Sequence, residues 1–166
     1  MNVYDVVCNG TWLRIVSSGG ERVCDRANWL KISSSGEIVC DRANWLKISS
    51  SGEIVCDHVN WLEILSSGDK IVCDHANWLR ILSSGYKMVC DHVNWLEILS
   101  SGDKIVGDHV NWLKILSSGN KRVCDHVNGL EILSSGDMIV CDHVNWLKIS
   151  SSGEIVCDRA NWRRLL

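Results

Sequence analysis

The sequence has no phenylalanine, no proline and no glutamine, and a single threonine, Thr11. Without proline, no stiff proline-rich stretch marks a linker between domains. Without phenylalanine, tryptophan is left as the bulky packing residue. There is no excess of positive charge either: 17 Lys and Arg against 20 Asp and Glu give a formal charge of −3, and the two signs are interleaved. No basic face of the kind that neutralises phosphates or anionic headgroups follows, so nucleic acid and membrane surfaces are not the expected partners. No apolar run approaches the roughly 18 residues of a spanning helix. The stretch from Met1 to Cys8 lacks a positive segment followed by a continuous apolar one, so a soluble, cytoplasmic chain is the default expectation. On that expectation the sequon Asn9-Gly10-Thr11 is a coincidence.

What is present is strongly skewed: nine Trp and nine Cys, with 46% apolar residues, in 166 residues. The skew comes from one short segment copied many times. The segment CDHVNWLEILSSGDKIV at 56–72 recurs letter for letter at 90–106, and again at 124–140 with Gly129 for the Trp and Met138 for the Lys. Repeats start at Cys8, Cys24, Cys40, Cys56, Cys73, Cys90, Gly107, Cys124, Cys141 and Cys157, at intervals of 16 or 17 residues. The copies fill the chain, which reads as one repeat domain over 1–166 with an N-terminal cap at about 1–7. Letter-for-letter copies are also what recent expansion of a DNA repeat leaves behind, with no selected function implied.

Each copy reads as two short strands. Ile-Val-Cys and Trp-Leu-x-Ile-Leu are rich in β-branched and aromatic residues, and Asp-His-Val-Asn and Ser-Ser-Gly-Asp bound them. Gly68 and its equivalents are expected to supply a positive-φ turn position, with Asp57 and Asn60 bonding nearby backbone in the other turn. The fold class is therefore all-β, and a short-coil β-solenoid is favoured. A β-hairpin meander or small β-propeller is the alternative, and a leucine-rich-repeat-like coil comes last because that family needs at least about 20 residues per repeat. The residue after Trp-Leu argues for the solenoid. It runs Lys47, Glu63, Arg80, Glu97, Lys114, Glu131, Lys148, so stacking would set each Glu between two cations. The turn residues Asp69, Tyr86, Asp103, Asn120 and Asp137 alternate as well, which a copied double unit explains equally.

If Val55, Leu62 and Ile64 face inward, then Trp61, Glu63 and Leu65 face outward. The outer face then carries an aromatic and an aliphatic row: Trp29, Trp45, Trp61, Trp78, Trp95, Trp112 and Trp146, with Leu65, Leu82, Leu99 and Leu116. Contiguous apolar stripes usually mark an interface, and this one is the candidate interaction face. The expected role is a non-enzymatic structural or protein-interaction module, binding a protein or a second copy. A lectin-like protein that stacks sugars on the Trp row is the alternative.

Cys-Asp-His recurs at 56–58, 73–75, 90–92, 124–126 and 141–143, and spacing by two would place thiol and imidazole on one strand face as potential zinc or copper ligands. Against this, Arg replaces the His at 26, 42 and 159, and no Cys-x-x-Cys pair is present. Half-exposed, reduced thiols and turn-positioned histidines explain the pattern without metal, and no metal or other cofactor is expected. No nucleophile-base-orienter set stands out, and a repeat that presents the same groups ten times over builds a surface rather than one pocket, so catalysis is not expected.

Overall fold

The computed structural model describes residues 6–68, 70–85, 87–102, 104–119, 121–135 and 138–165. These form strands and turns with no helix among them. The proposed cap at 1–7 therefore lies mostly outside the described residues, as do the turn residues Asp69, Tyr86, Asp103, Asn120 and Asp137.

Three long strands come first: β1 (Val6–Ser17), β2 (Arg22–Ser34) and β3 (Ile38–Ser50). From there each repeat contributes a short and a longer strand: β4 (Ile54–Cys56) and β5 (Val59–Ser66), β6 (Lys70–Cys73) and β7 (Ala76–Ser83), β8 (Lys87–Cys90) and β9 (Trp95–Ser100), β10 (Lys104–Gly107) and β11 (Trp112–Ser117). The series ends with β12 (Lys121–Cys124) and β13 (Val127–Ser134), β14 (Met138–Cys141) and β15 (Val144–Ser151), β16 (Glu154–Cys157) and β17 (Ala160–Leu165). Every pairing is parallel and joins a strand to its equivalent one repeat along, β5 to β7 and β7 to β9 for instance. Hairpins would pair antiparallel, so the chain is a β-solenoid in which one repeat makes one coil.

Register is set by identity. Leu62 lies beside Leu79 and Ile64 beside Ile81, and Cys56 lies beside Cys73. One slip, between Cys8 and Asn9, shifts the register of β1 on β2. It absorbs the one residue by which the Cys8-to-Trp12 spacing is shorter than Cys24-to-Trp29. Any one-residue slip elsewhere would turn a whole buried column outward, which holds the coils in phase.

The core is a stack of identical layers. Ile54, Cys56, Val59, Leu62 and Ile64 are buried, and the same five positions are buried in each following coil up to Ile149, while Ile155, Cys157 and Ala160 of the last coil are partly buried. Complete burial of a Leu or Ile contributes roughly 1.5–3 kcal/mol, repeated coil after coil. Val55 is half-buried and outward, contrary to the expected inward Val55. Alternation holds within each strand, Ile54 with Cys56 and Leu62 with Ile64, and is interrupted at the corner before the buried Val59; a thiol is small and apolar enough to take the inward place. The expectation of half-exposed cysteines fails for the same reason: Cys56, Cys73 and Cys90 are about 98% or more covered.

Two turn assignments also change. Positive φ falls on His58, His75, His92, His109, His126 and His143, at 44–48°, and, among the described glycines, on Gly19 and Gly20 of the first coil but not on Gly68. The Asp57 carboxylate accepts the His58 backbone N–H at 2.8 Å, which holds the corner, and every later His repeats the bond. Gly68 is needed for a different reason. A Cβ there would run into the carbonyl oxygen of Gly52, and the glycines at 36, 52, 85 and 102 meet the same obstacle one coil back. The Gly68 N–H donates to Ser66 Oγ at 2.9 Å, so the invariant Ser-Ser-Gly is a stacking motif.

Arg122 stands in the buried column between Ile105 and Ile139 and is itself fully buried. Its Nε donates to Ser117 Oγ at 2.9 Å. A charge in this position costs stability unless compensated, and the sequence pattern alone had not marked it.

Candidate functional site

Stacking converts each outward repeat position into a column. The Trp column is carried on β5, β7, β9 and their successors, immediately before the buried Leu. Parallel indoles lie 4.6–5.0 Å apart from Trp12 to Trp95, spaced by the strand separation itself. Each interior ring therefore spends both faces on its neighbours and shows solvent an edge. Gly129 interrupts the column, and the rings close over the gap: Trp112 and Trp146 stack at 5.5 Å although two coils separate them. A Cβ at Gly129 would run into the Trp112 ring. The stretch is taken up on either side, where Trp95–Trp112 and Trp146–Trp162 open to 5.6 and 5.7 Å.

The candidate face is assembled as the sequence suggests. Trp29 and Trp45 are 39% exposed and Leu65 is 43% exposed, while Trp61, Trp78, Trp95, Trp112, Trp146, Leu82, Leu99 and Leu116 are half-buried on the same outer side. Between the Trp and Leu columns runs the charge column. Lys47 meets Glu63 at 3.1 Å, Arg80 meets Glu97 at 3.6 Å, Lys114 meets Glu97 at 3.9 Å and Lys148 meets Glu131 at 2.7 Å. At the N-terminal end a groove of about 450 Å³ opens along Trp12, Trp29 and Trp45, beside Arg14, Lys31 and Lys47.

Cys and His do not share a face. The thiols stack inside the core as free cysteines. Hydrogen bonding with Cys24 and Cys56 pulls the Cys40 thiol down while the bonds to Cys40 and Cys73 push Cys56 up. Burial pushes both up, and in this dry column it favours the neutral thiol. The imidazoles stand on the outside: Cys56 and Val59 are both buried and His58 between them is exposed, as Arg42 is between the buried Cys40 and Ala43. A joint Cys/His metal site is thereby excluded at these positions.

Two columns were not foreseen. The asparagine before each Trp forms a continuous side-chain ladder: Asn44 Nδ2 donates to Asn28 Oδ1 at 3.0 Å, Asn60 to Asn44 at 2.9 Å, Asn77 to Asn60 at 2.8 Å, and so on to Asn161. The expected Asn60 bond to local backbone is replaced by this ladder, because stacking brings an identical amide within reach of each one. The invariance of Asn at one offset in nearly every copy was the available signal. The second column is built from His58, His75, His92, His109, His126 and His143, whose rings lie parallel at 4.8–4.9 Å. Each Nδ1 faces its own Asp, as His75 faces Asp74 at 2.9 Å and His92 faces Asp91 at 3.2 Å, with the preceding Asp 3.4–3.6 Å away.

Fold and surface together define a class: a parallel β-solenoid with an internal Cys/Leu/Ile core and external Asn, Trp, charge and Asp-His ladders. Compared with protein-family models, with curated proteins and with solved structures, the chain matches none.

Proposed function

We propose that this chain is a non-enzymatic structural module that self-associates through its Trp/Leu face. The observation that carries the reading is the straight, periodic stripe made by the Leu65, Leu82, Leu99 and Leu116 column beside the edges of the stacked indoles. A second copy presents the same spacing, so the two stripes are matched in pitch without any adjustment. The charge column adds polarity to the match. With a two-fold axis between Glu97 and Lys114, Glu97 meets Lys114, Arg80 meets Glu131 and Glu63 meets Lys148 of the other copy. Every one of these pairs is of opposite sign.

The lectin alternative loses support from the same geometry. Sugar stacking uses the face of an aromatic ring, and the faces of the interior indoles are already occupied by one another. An enzyme gains none, since each surface group recurs coil after coil and the repeat builds a surface.

The test is sedimentation velocity across a concentration series, on the full chain and on a variant with Leu65, Leu82, Leu99 and Leu116 each changed to Ser. Serine occupies this position in other coils, at Ser33, Ser49 and Ser150, so the variant is expected to keep the fold. The reading expects a concentration-dependent dimer for the chain and a monomer for the variant. A parent chain that stays monomeric at high concentration, or a variant that dimerises as readily, would refute it.

A further inference from the structure

We propose that the Asp-His column is a binding edge for borderline transition-metal cations such as Zn²⁺, each ion bridging the Nε2 atoms of histidines on two successive coils. Three observations lead there.

The Nδ1 edges are already committed. His58, His75, His92, His109, His126 and His143 each set Nδ1 against their own Asp at 2.8–3.2 Å. A neutral imidazole that donates from Nδ1 to a carboxylate carries its lone pair on Nε2. This is the carboxylate–histidine pairing that orients metal-ligating imidazoles and raises their basicity.

At the end of the column the structure shows Nε2 facing a cation. Arg159 Nη1 lies 3.0 Å from His143 Nε2, and a guanidinium can only donate. His143 Nε2 therefore accepts, while its Nδ1 sits 3.0 Å from Asp142 Oδ2. The tautomer required for ligation is the one this network selects. Arg159 stands where the earlier coils carry His, so it acts as a tethered cation at the end of the row.

Finally, the donors are close and open. Successive imidazoles lie parallel with centroids 4.8–4.9 Å apart, so their Nε2 edges repeat at about the ring spacing. The histidine side chains from His58 to His126 are 48–51% exposed. A Zn–N bond of about 2.0–2.1 Å requires the two parallel rings to turn toward a shared ion. Their outer edges face solvent, so nothing packed against those edges opposes the turn. Six histidines make three such pairs, of which the His126–His143 pair must first displace Arg159.

Zinc titration by calorimetry on the full chain tests the proposal. The expected result is saturable binding of two ions per chain, and of a third when Arg159→Ala frees His143. The deciding variant changes His75, His109 and His143 to Asn. It keeps three histidines and every cysteine but leaves no two histidines adjacent, and asparagine tolerates the left-handed corner. Binding should fall at least about tenfold in this variant, and Asp74→Asn with Asp91→Asn should weaken it by about tenfold to a hundredfold. Zinc bound by the triple variant as by the parent chain would place it elsewhere, on thiols or lone histidines, and overturn the proposal. A second readout needs no variant: zinc should protect the parent chain's histidines from diethylpyrocarbonate, and unprotected modification would also overturn it.

Discussion

The coils at 22–50 carry Arg at the first corner, at Arg26 and Arg42, and those from 54 to 151 carry His. Where Arg stands, β2 and β3 run unbroken for 13 residues. Where His stands, it takes φ near 45° and the strand divides in two. The Arg coils also place Ser33 and Ser49 where the His coils place Leu65, Leu82 and Leu99, and they stack Lys31 on Lys47 instead of alternating charge. The buried Leu and Ile, the Asn ladder and the Gly stack cross the boundary unchanged, and the Trp stack crosses it unbroken with one 24° tilt between Trp45 and Trp61. What both regions share is what one coil needs in order to sit on another. What they do not share, the Leu column, the alternating charges and the Asp-His column, is where a role beyond folding is to be sought.

Six substitutions, in four tests, press on that division. Gly68→Val should cost roughly 3 kcal/mol or more, because the new side chain meets backbone of the neighbouring coil, and Gly36→Val in the Arg region should cost as much. Urea unfolding of the two variants measures this, and a cost confined to one region would show that the glycine stack is not common to both. Arg122→Ile should stabilise by about 1–4 kcal/mol, since it replaces a buried charge with the residue its column carries on either side. The same unfolding assay reads the gain, and a loss would mean that the contacts of the guanidinium, the bond to Ser117 among them, outweigh the desolvation.

His92→Val should cost about 1–2 kcal/mol, because a β-branched residue is strained at a left-handed φ. Arg42→Val, in continuous strand, should be nearly neutral, and thermal melts of the pair test whether the corner differs as described. Glu97→Lys should have the smallest effect. It turns two contacts, to Arg80 and Lys114, into repulsions of about 0.2–1 kcal/mol each, and added salt should largely remove the cost.

Much of this was legible beforehand. The period of 16 or 17, the strand-rich composition and the alternating Lys47, Glu63, Arg80, Glu97 column point to stacked parallel coils, and the outward Trp and Leu rows follow from Leu62 and Ile64 facing in. Three features were not legible. Val55 was expected inside with Leu62 and Ile64, yet alternation in its own strand buries Ile54 and Cys56 and turns Val55 outward. Gly68 was read by its usual turn role, while its necessity comes from the carbonyl of Gly52, a residue 16 positions away in the chain. Asn60 was read for a bond within its own coil, but its partners are copies of itself, and the His row was read together with the thiols, which lie on the other side.

By itself the sequence determined the repeat length, the all-β class and the columns that would exist, because equal spacing and parallel stacking force like onto like. Only the tertiary structure decided the direction of each column. Cys40 and Cys56 are buried while Arg42 and His58 are exposed, so the corner separates positions two residues apart in the chain, whether it runs extended through Arg or bends at a left-handed His.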